Sequence, residues 1–139
     1  MDKEVLKVFK QLTVKTSKKV ELIDITSKIK KKINNSGITS GILHINIPHT
    51  TAAVTINENA DPSVKDDIIM EFNKIIPFND NYQHLEGNSA AHIKSSIIGS
   101  GETVIINDGH LELGRWQGII FCEFDGPRRR KVELKFIKD

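Results

Sequence analysis

A chain of 139 residues with 38% hydrophobic and 27% charged residues can bury one core without disulfide or metal support, which excludes a disordered chain. Its single cysteine excludes an intramolecular disulfide and any multi-cysteine zinc site. The net charge of +2 hides an asymmetry: residues 1–32 carry ten lysines against four acids, and residues 33–139 carry ten basic against fourteen acidic groups. No aromatic residues alternate with those lysines to stack bases, so they read as a solvated face and nucleic acid is not an expected partner. The N-terminus shows no charged-then-apolar leader, and no apolar run approaches ~18 residues, so the expectation is a cytoplasmic chain that does not span a membrane.

Residues 6–16 mix β-branched, apolar and lysine residues in near alternation and predict a strand. Residues 19–25 predict a second, with Val20 and Leu22 on one face. Thr26 is placed to cap a helix in which Ile25, Ile29 and Ile33 recur every fourth residue and Lys28, Lys30, Lys31 and Lys32 take the solvent side. Gly37 suits the left-handed stop. Residues 41–48 predict a third strand. Leu43, Ile45 and Ile47 share a face that His49 inherits at its rim, while His44 and Asn46 point the other way. Residues 52–56 continue as strand.

Asp61-Pro62 then opens a helix, with aspartate as cap and proline at the first position. Val64, Ile68, Ile69, Phe72, Ile75 and Ile76 form its expected buried stripe, and Pro77 ends it. An irregular loop over 77–87 carries His84 and Glu86. A short helix over 89–98 follows, capped by Asn88 or Ser89 and stopped by Gly99. Ala90, Ile93 and Ile97 are its expected inner stripe, with His92, Ser95 and Ser96 on an adjacent face. Strands return at 103–106, 111–113, 117–124 and 131–137, with a turn at Asn107-Asp108-Gly109. Neither a repeat nor a linker interrupts this order, which predicts one α+β domain over 1–139, of mainly antiparallel sheet with about three helices.

The strand at 118–124 is apolar on both faces, so it is expected to be central and covered on both sides. Glu123 interrupts it. A buried carboxylate without a partner costs several kcal/mol, so Glu123 requires an arginine, a metal or a histidine N–H. A structural pair with Arg128, Arg129 or Arg130 and a functional role stand level. Cys122 faces the opposite way and reads as an inert core thiol. The Arg128-Arg129-Arg130 run can capture an anion through forked donors. For Arg129 and Arg130 a solvated turn is the expectation. Trp116, just before the central strand, can wall a pocket for a planar ligand or anchor the core.

His49, His84 and His92 admit three readings. They can be metal ligands in an open three-histidine site, acid–base groups oriented by Glu86 or Glu123, or satisfied histidines with neither role. Their spacing matches no short metal signature, and no glycine-rich phosphate loop is present. Thr50, Thr51, Ser95 and Ser96 add hydroxyls, none marked as a nucleophile. Folding the 77–87 loop back over the end of the third strand would bring the three imidazoles to one centre.

Several blocks in one order carry a family resemblance: Pro48-His49-Thr50-Thr51-Ala52-Ala53, Asn57-Glu58-Asn59-Ala60-Asp61-Pro62, the stretch from Tyr82-Gln83-His84 through His92-Ile93-Lys94-Ser95-Ser96, Leu113-Gly114-Arg115-Trp116-Gln117-Gly118-Ile119, and Glu123-Phe124-Asp125-Gly126-Pro127-Arg128. Together they resemble the YjbQ family, also described as secondary thiamine-phosphate synthases, over nearly the whole chain. Arg115 departs from the family's usual threonine. The resemblance implies a compact α+β fold, a homotrimer with polar clefts near subunit boundaries, and a site built on His49, His84, His92 and Glu123. It implies Thr50, Glu86, Lys94, Trp116, Gln117 and Arg128 at a phosphorylated ligand, with a divalent ion, zinc or magnesium, on the three histidines. The implied activity joins a hydroxymethylpyrimidine pyrophosphate to a thiazole phosphate with release of pyrophosphate. The alternative is a protein that binds a metal or phosphorylated ligand without turnover.

Overall fold

Alternating burial along the strands builds the fold in layers. The computed structural model describes residues 7–139; the start of the first expected strand, at Leu6, lies outside the described residues. In chain order the elements are β1 (Lys7–Lys15), β2 (Glu21–Asp24), α1 (Thr26–Asn34), β3 (Gly41–Asn46), β4 (Ala52–Glu58), α2 (Pro62–Ile75), α3 (Ser89–Ile98), β5 (Gly101–Asn107), β6 (His110–Leu111), β7 (Gln117–Glu123) and β8 (Arg129–Lys138). All strand pairings are antiparallel, in a five-stranded sheet of order β1-β8-β3-β5-β6 and a three-stranded sheet of order β2-β7-β4.

The main core joins the two sheets. Leu12, Leu43, Val104, Leu134 and Phe136 from the large sheet meet Val54, Ile119 and Phe121 from the small one, and Ile29 and Ile33 of α1, with Ile25 at its N-cap, pack among them. A second core lies on the other face of the small sheet, where Ala53, Ile120, Cys122 and Phe124 meet Ala91 of α3 and Ile68, Ile69 and Phe72 of α2. Thus β7 is apolar on both faces because it runs through the middle of the middle layer, as expected.

Two helix faces differ from expectation. No residue within α2 is fully buried: Val64, Ile68, Ile69 and Phe72 are half-buried, and of the predicted stripe only Ile75, 64% exposed, turns outward, while Ile76 at the C-cap is buried. On α3 the buried residues are Ala90, Ala91, Lys94 and Ser95, whereas Ile93 and Ile97 are 39% and 60% exposed. The helix is rotated so that its small residues meet β4. Alanine lets backbone approach sheet closely, and a reading from side-chain apolarity misses this. Lys94 is tolerated inside because its ammonium bonds Asn73 Oδ1 and sits 4.0 Å from the Phe78 ring centroid. Both of those partners lie outside α3.

Candidate functional site

Register positions the site. Ala52 at the start of β4 pairs with Glu123 at the end of β7, so the Pro48–His49–Thr50–Thr51 link abuts the turn that follows β7. That turn is pinned by close approach at Gly126, where a Cβ would stand 2.2 Å from the Lys18 carbonyl oxygen. The loop before α3 and the first turns of α3 close the third side. His49, His84 and His92 thereby line one cleft of about 480 Å³, together with Glu86, Asn88 and Arg128. The His84 and His92 rings meet edge-on, 5.5 Å between centroids and 85° between planes. His84 Nε2 lies 3.9 Å from Glu86 Oε2.

His49 is oriented by backbone. Its Nε2 accepts the Lys131 N–H at 2.9 Å, so the neutral ring carries its proton on Nδ1 and offers a donor there. Burial, and then the nearby Arg130 guanidinium, hold its pKa below the ordinary histidine value. Beneath it, Glu123 is fully buried and paired with Arg130, whose Nε reaches Oε1 at 2.9 Å and whose Nη2 reaches Oε2 at 2.5 Å. Thr16 Oγ1 donates to Glu123 Oε1 at 2.7 Å, and Arg130 Nη2 donates to Thr51 Oγ1 at 2.8 Å. Glu123 therefore acts on the cleft through Arg130 and through the Asp125 N–H, which donates to its Oε2 at 3.2 Å, as a positioning group. The expectation that Arg130 is solvated is corrected: it is 5% exposed, because it shares the inward face of β8 with Val132, Leu134 and Phe136. Arg129 is exposed, as expected.

Arg128 is the accessible cation. Its Nη2 donates to Asp125 Oδ2 at 3.0 Å and its Nε to the Asp125 carbonyl at 2.7 Å. Burial pushes the Asp125 carboxyl upward, but the Asn88 amide and Arg128 outweigh it and hold the pKa below its usual value.

The histidines do not form a ready ion site as they stand. Among the described residues, no three His, Cys, Asp or Glu side chains are grouped closely enough to hold a metal ion. His49 also directs a donor, not a lone pair, away from Lys131. Three expected ligand residues lie elsewhere. Lys94 is buried against Asn73 and Phe78. Gln117 pairs with Glu58 at the opposite end of β7 from Glu123, ~20 Å away at the usual strand rise, and Trp116 precedes it. The Arg115 guanidinium stacks on the Trp116 ring at 4.7 Å from its centroid, so this departure concerns Trp116 and not the cleft.

Comparison with known proteins identifies the lineage. Residues 10–139 match the family model described as UPF0047 protein YjbQ-like. The chain belongs to the YjbQ family. A UPF0047 protein of Methanocaldococcus jannaschii is 56% identical over 135 residues, covering 97% of this chain and 98% of that protein. YugU of Bacillus subtilis is 50% identical over 131 residues, covering 94% and 99%. A YjbQ/UPF0047 crystal structure from Clostridium acetobutylicum superposes with a TM-score of 0.90 at 51% identity, over 91% of this chain and 98% of that one. A YbjQ-like protein of unknown function from Sulfolobus solfataricus gives 0.93 at 28% identity, over 98% and 100%.

Several residues of this YjbQ-family cleft escape a reading of the sequence. Asn88 is expected only as a cap, yet its side chain donates to Asp125 Oδ2 at 3.0 Å and makes no capping bond. Asp125 itself carries no expectation. For Arg130 a signal exists: the period-two alternation of β8 turns it inward, and the alternation of Leu12 and Val14 in β1 carries on to the buried Thr16 just past its end.

Proposed function

We propose that this cleft binds a phosphorylated small molecule and that the chain joins a hydroxymethylpyrimidine pyrophosphate to a thiazole phosphate, releasing pyrophosphate. The observation that carries the proposal is the meeting of His49, His84 and His92 with Arg128 and the start of α3 around one open cleft. In this reaction the thiazole nitrogen attacks the pyrimidine methylene carbon. A C–N bond forms, the C–O bond breaks, and its electron pair leaves on pyrophosphate, with no proton to remove. The reaction therefore needs neither an activated nucleophile nor a general base. It needs donors aimed at the oxygens that gain charge, worth ~10²–10³ in rate for a single well-placed donor. Arg128, the His49 Nδ1–H and the His84 and His92 imidazoles are such donors, and a magnesium ion accompanying the pyrophosphate as part of the substrate shares the charge.

The working assembly in this proposal is a homotrimer, as the family resemblance implies. Ile93 and Ile97, one turn apart on α3, and the fully exposed Leu85 beside the cleft are apolar surface that association would cover. A monomeric mass in light scattering at micromolar concentration would count against it.

The test is incubation of the protein with both precursors and magnesium, following thiamine phosphate and pyrophosphate together. The expected result is product in equal amounts, with His92→Ala and Arg128→Ala each slowing it by ~100-fold. Product no faster than the uncatalysed mixture removes the synthase activity. Binding of the precursors without turnover would leave the ligand-binding alternative in its place.

A further inference from the structure

Lys94 is a charge inside the protein that the chemistry of the cleft does not use. It is fully buried on α3, close after His92. Among the described residues its ammonium meets one hydrogen-bond acceptor, Asn73 Oδ1, and no carboxylate within ion-pair distance. The Phe78 ring, whose centroid lies 4.0 Å from Nζ, supplies the remaining attraction. Methionine or leucine would fill this space without taking an ion out of water, which is costly even for a well-paired group. Filling space therefore does not account for a lysine here. Its directional contacts do.

Those contacts converge on one stretch of chain. Asn73 lies in the last turn of α2, Pro77 follows that helix, and Phe78 opens the loop over 77–87. Lys94 thus ties α3 to the end of α2 and to the start of the loop. Tyr82 Oη donates to the Pro77 carbonyl at 2.5 Å, which folds the first half of the loop back onto its start. Tyr82 also lines a recess of about 360 Å³ with His84, Ser89, His92 and Ile93, so this half of the loop lies beside α3. The far end is held separately, by Asn88 Nδ2 donating to Asp125 Oδ2 at 3.0 Å. Every residue between Tyr82 and Asn88 is exposed, and His84 and Glu86 stand on this span. Burial does not hold His84. The anchors on either side set where its ring meets His92, edge-on at 5.5 Å between centroids. Lys19 also stands over Phe78, 4.1 Å from the ring centroid, but from an exposed position where water weakens the contact. Of the two cations on this ring, Lys94 is the anchor.

We infer that Lys94 is a positioning residue: by holding Phe78 and Asn73 it places the 77–87 loop so that His84 reaches the cleft beside His92. The inference deepens the proposed function, resting on His84 as one of its donors, and gives Lys94 a task at the cleft without contact to any ligand.

The test reads the His84–His92 contact itself, as the Overhauser effect between their ring protons in the full chain without ligand. His49 is held by the Lys131 N–H and not by the loop, so its ring resonances serve as an internal reference. The parent should show the effect. Lys94→Met and Phe78→Leu should each lose it, with the His49 resonances where they stand in the parent. Phe78→Tyr keeps the ring face and should keep the effect. Should Lys94→Met not fold, Phe78→Leu, a change at a half-buried loop position that leaves α3 intact, decides alone. An effect that persists in Phe78→Leu or in folded Lys94→Met overturns the inference. So does its loss in Phe78→Tyr, or a shift of His49 alongside it, which would make the contact a general support of the fold. Absence of the effect in the parent overturns the inference together with the shared cleft that carries the proposed function. Precursors that fail to react remove the proposed reaction alone.

Discussion

Glu123→Gln should unfold the protein more than any surface change, and the structure supplies the magnitude. The carboxylate is fully buried and receives Arg130 Nε at 2.9 and 3.1 Å, Arg130 Nη2 at 2.5 Å, Thr16 Oγ1 at 2.7 Å and the Asp125 N–H at 3.2 Å. Glutamine keeps the shape but must turn an NH₂ group toward one set of donors, and it leaves Arg130 as an unpaired cation that is 5% exposed. Removing one partner of a buried pair costs ~3–5 kcal/mol, at least about a fifth of the ~5–15 kcal/mol that holds a typical domain together. Equilibrium urea unfolding at neutral pH should show that loss, and the thermal midpoint should fall by ~10–20 °C. Glu123→Leu/Arg130→Met removes both charges and should recover most of the stability. The single variant should also disturb the cleft, since Arg130 holds Thr51 and its neighbour Lys131 donates to His49. A Glu123→Gln protein within ~0.5 kcal/mol of the parent, the range of ordinary surface changes, would refute the buried-pair reasoning.

Cys122 is fully buried and its thiol is pushed up to about 12 by burial, so a thiol reagent at mildly alkaline pH should label it only after denaturant is added; rapid native labelling would contradict the two-faced burial of β7. Nitrogen NMR should find neutral His49 protonated on Nδ1 at neutral pH, and a proton on Nε2 would break the Lys131 contact. Because its folded pKa lies below the ordinary value, its contribution to stability is present above about pH 6.5 and is lost as pH falls through the folded pKa. Lys94, lowered from 10.5 to about 8 chiefly by burial and then by Lys19, binds fewer protons folded than unfolded between those values. The parent should therefore gain stability relative to Lys94→Met as pH rises from about 8 to 10.5, whereas parallel pH curves would remove Lys94 from the interior.

Local periodicity determined most of the fold. Three isoleucines at every fourth position are enough to place α1 in the core, and Asp61-Pro62 is enough to start α2, whose cap accepts the Ser63 N–H. The double-sided apolarity of β7 likewise predicts layers on both faces. These signals are legible because they depend on neighbours along the chain. The rotation of α3 is not legible in that way: Ala90 and Ala91 win the buried face from Ile93 and Ile97 only because the backbone of β4 comes close enough to reward small side chains. The motifs name the three histidines and Arg128, but their shared cleft arises from contacts between segments far apart in the chain. Lys94 shares a motif block with His92 yet points into the interior, and Trp116 immediately precedes the strand that carries Glu123 yet stands at the opposite end from it. Direction along a strand and rotation about a helix axis are settled by packing across the fold, so residues adjacent in a motif part company and Asn88, Asp125, Arg128 and His49 meet.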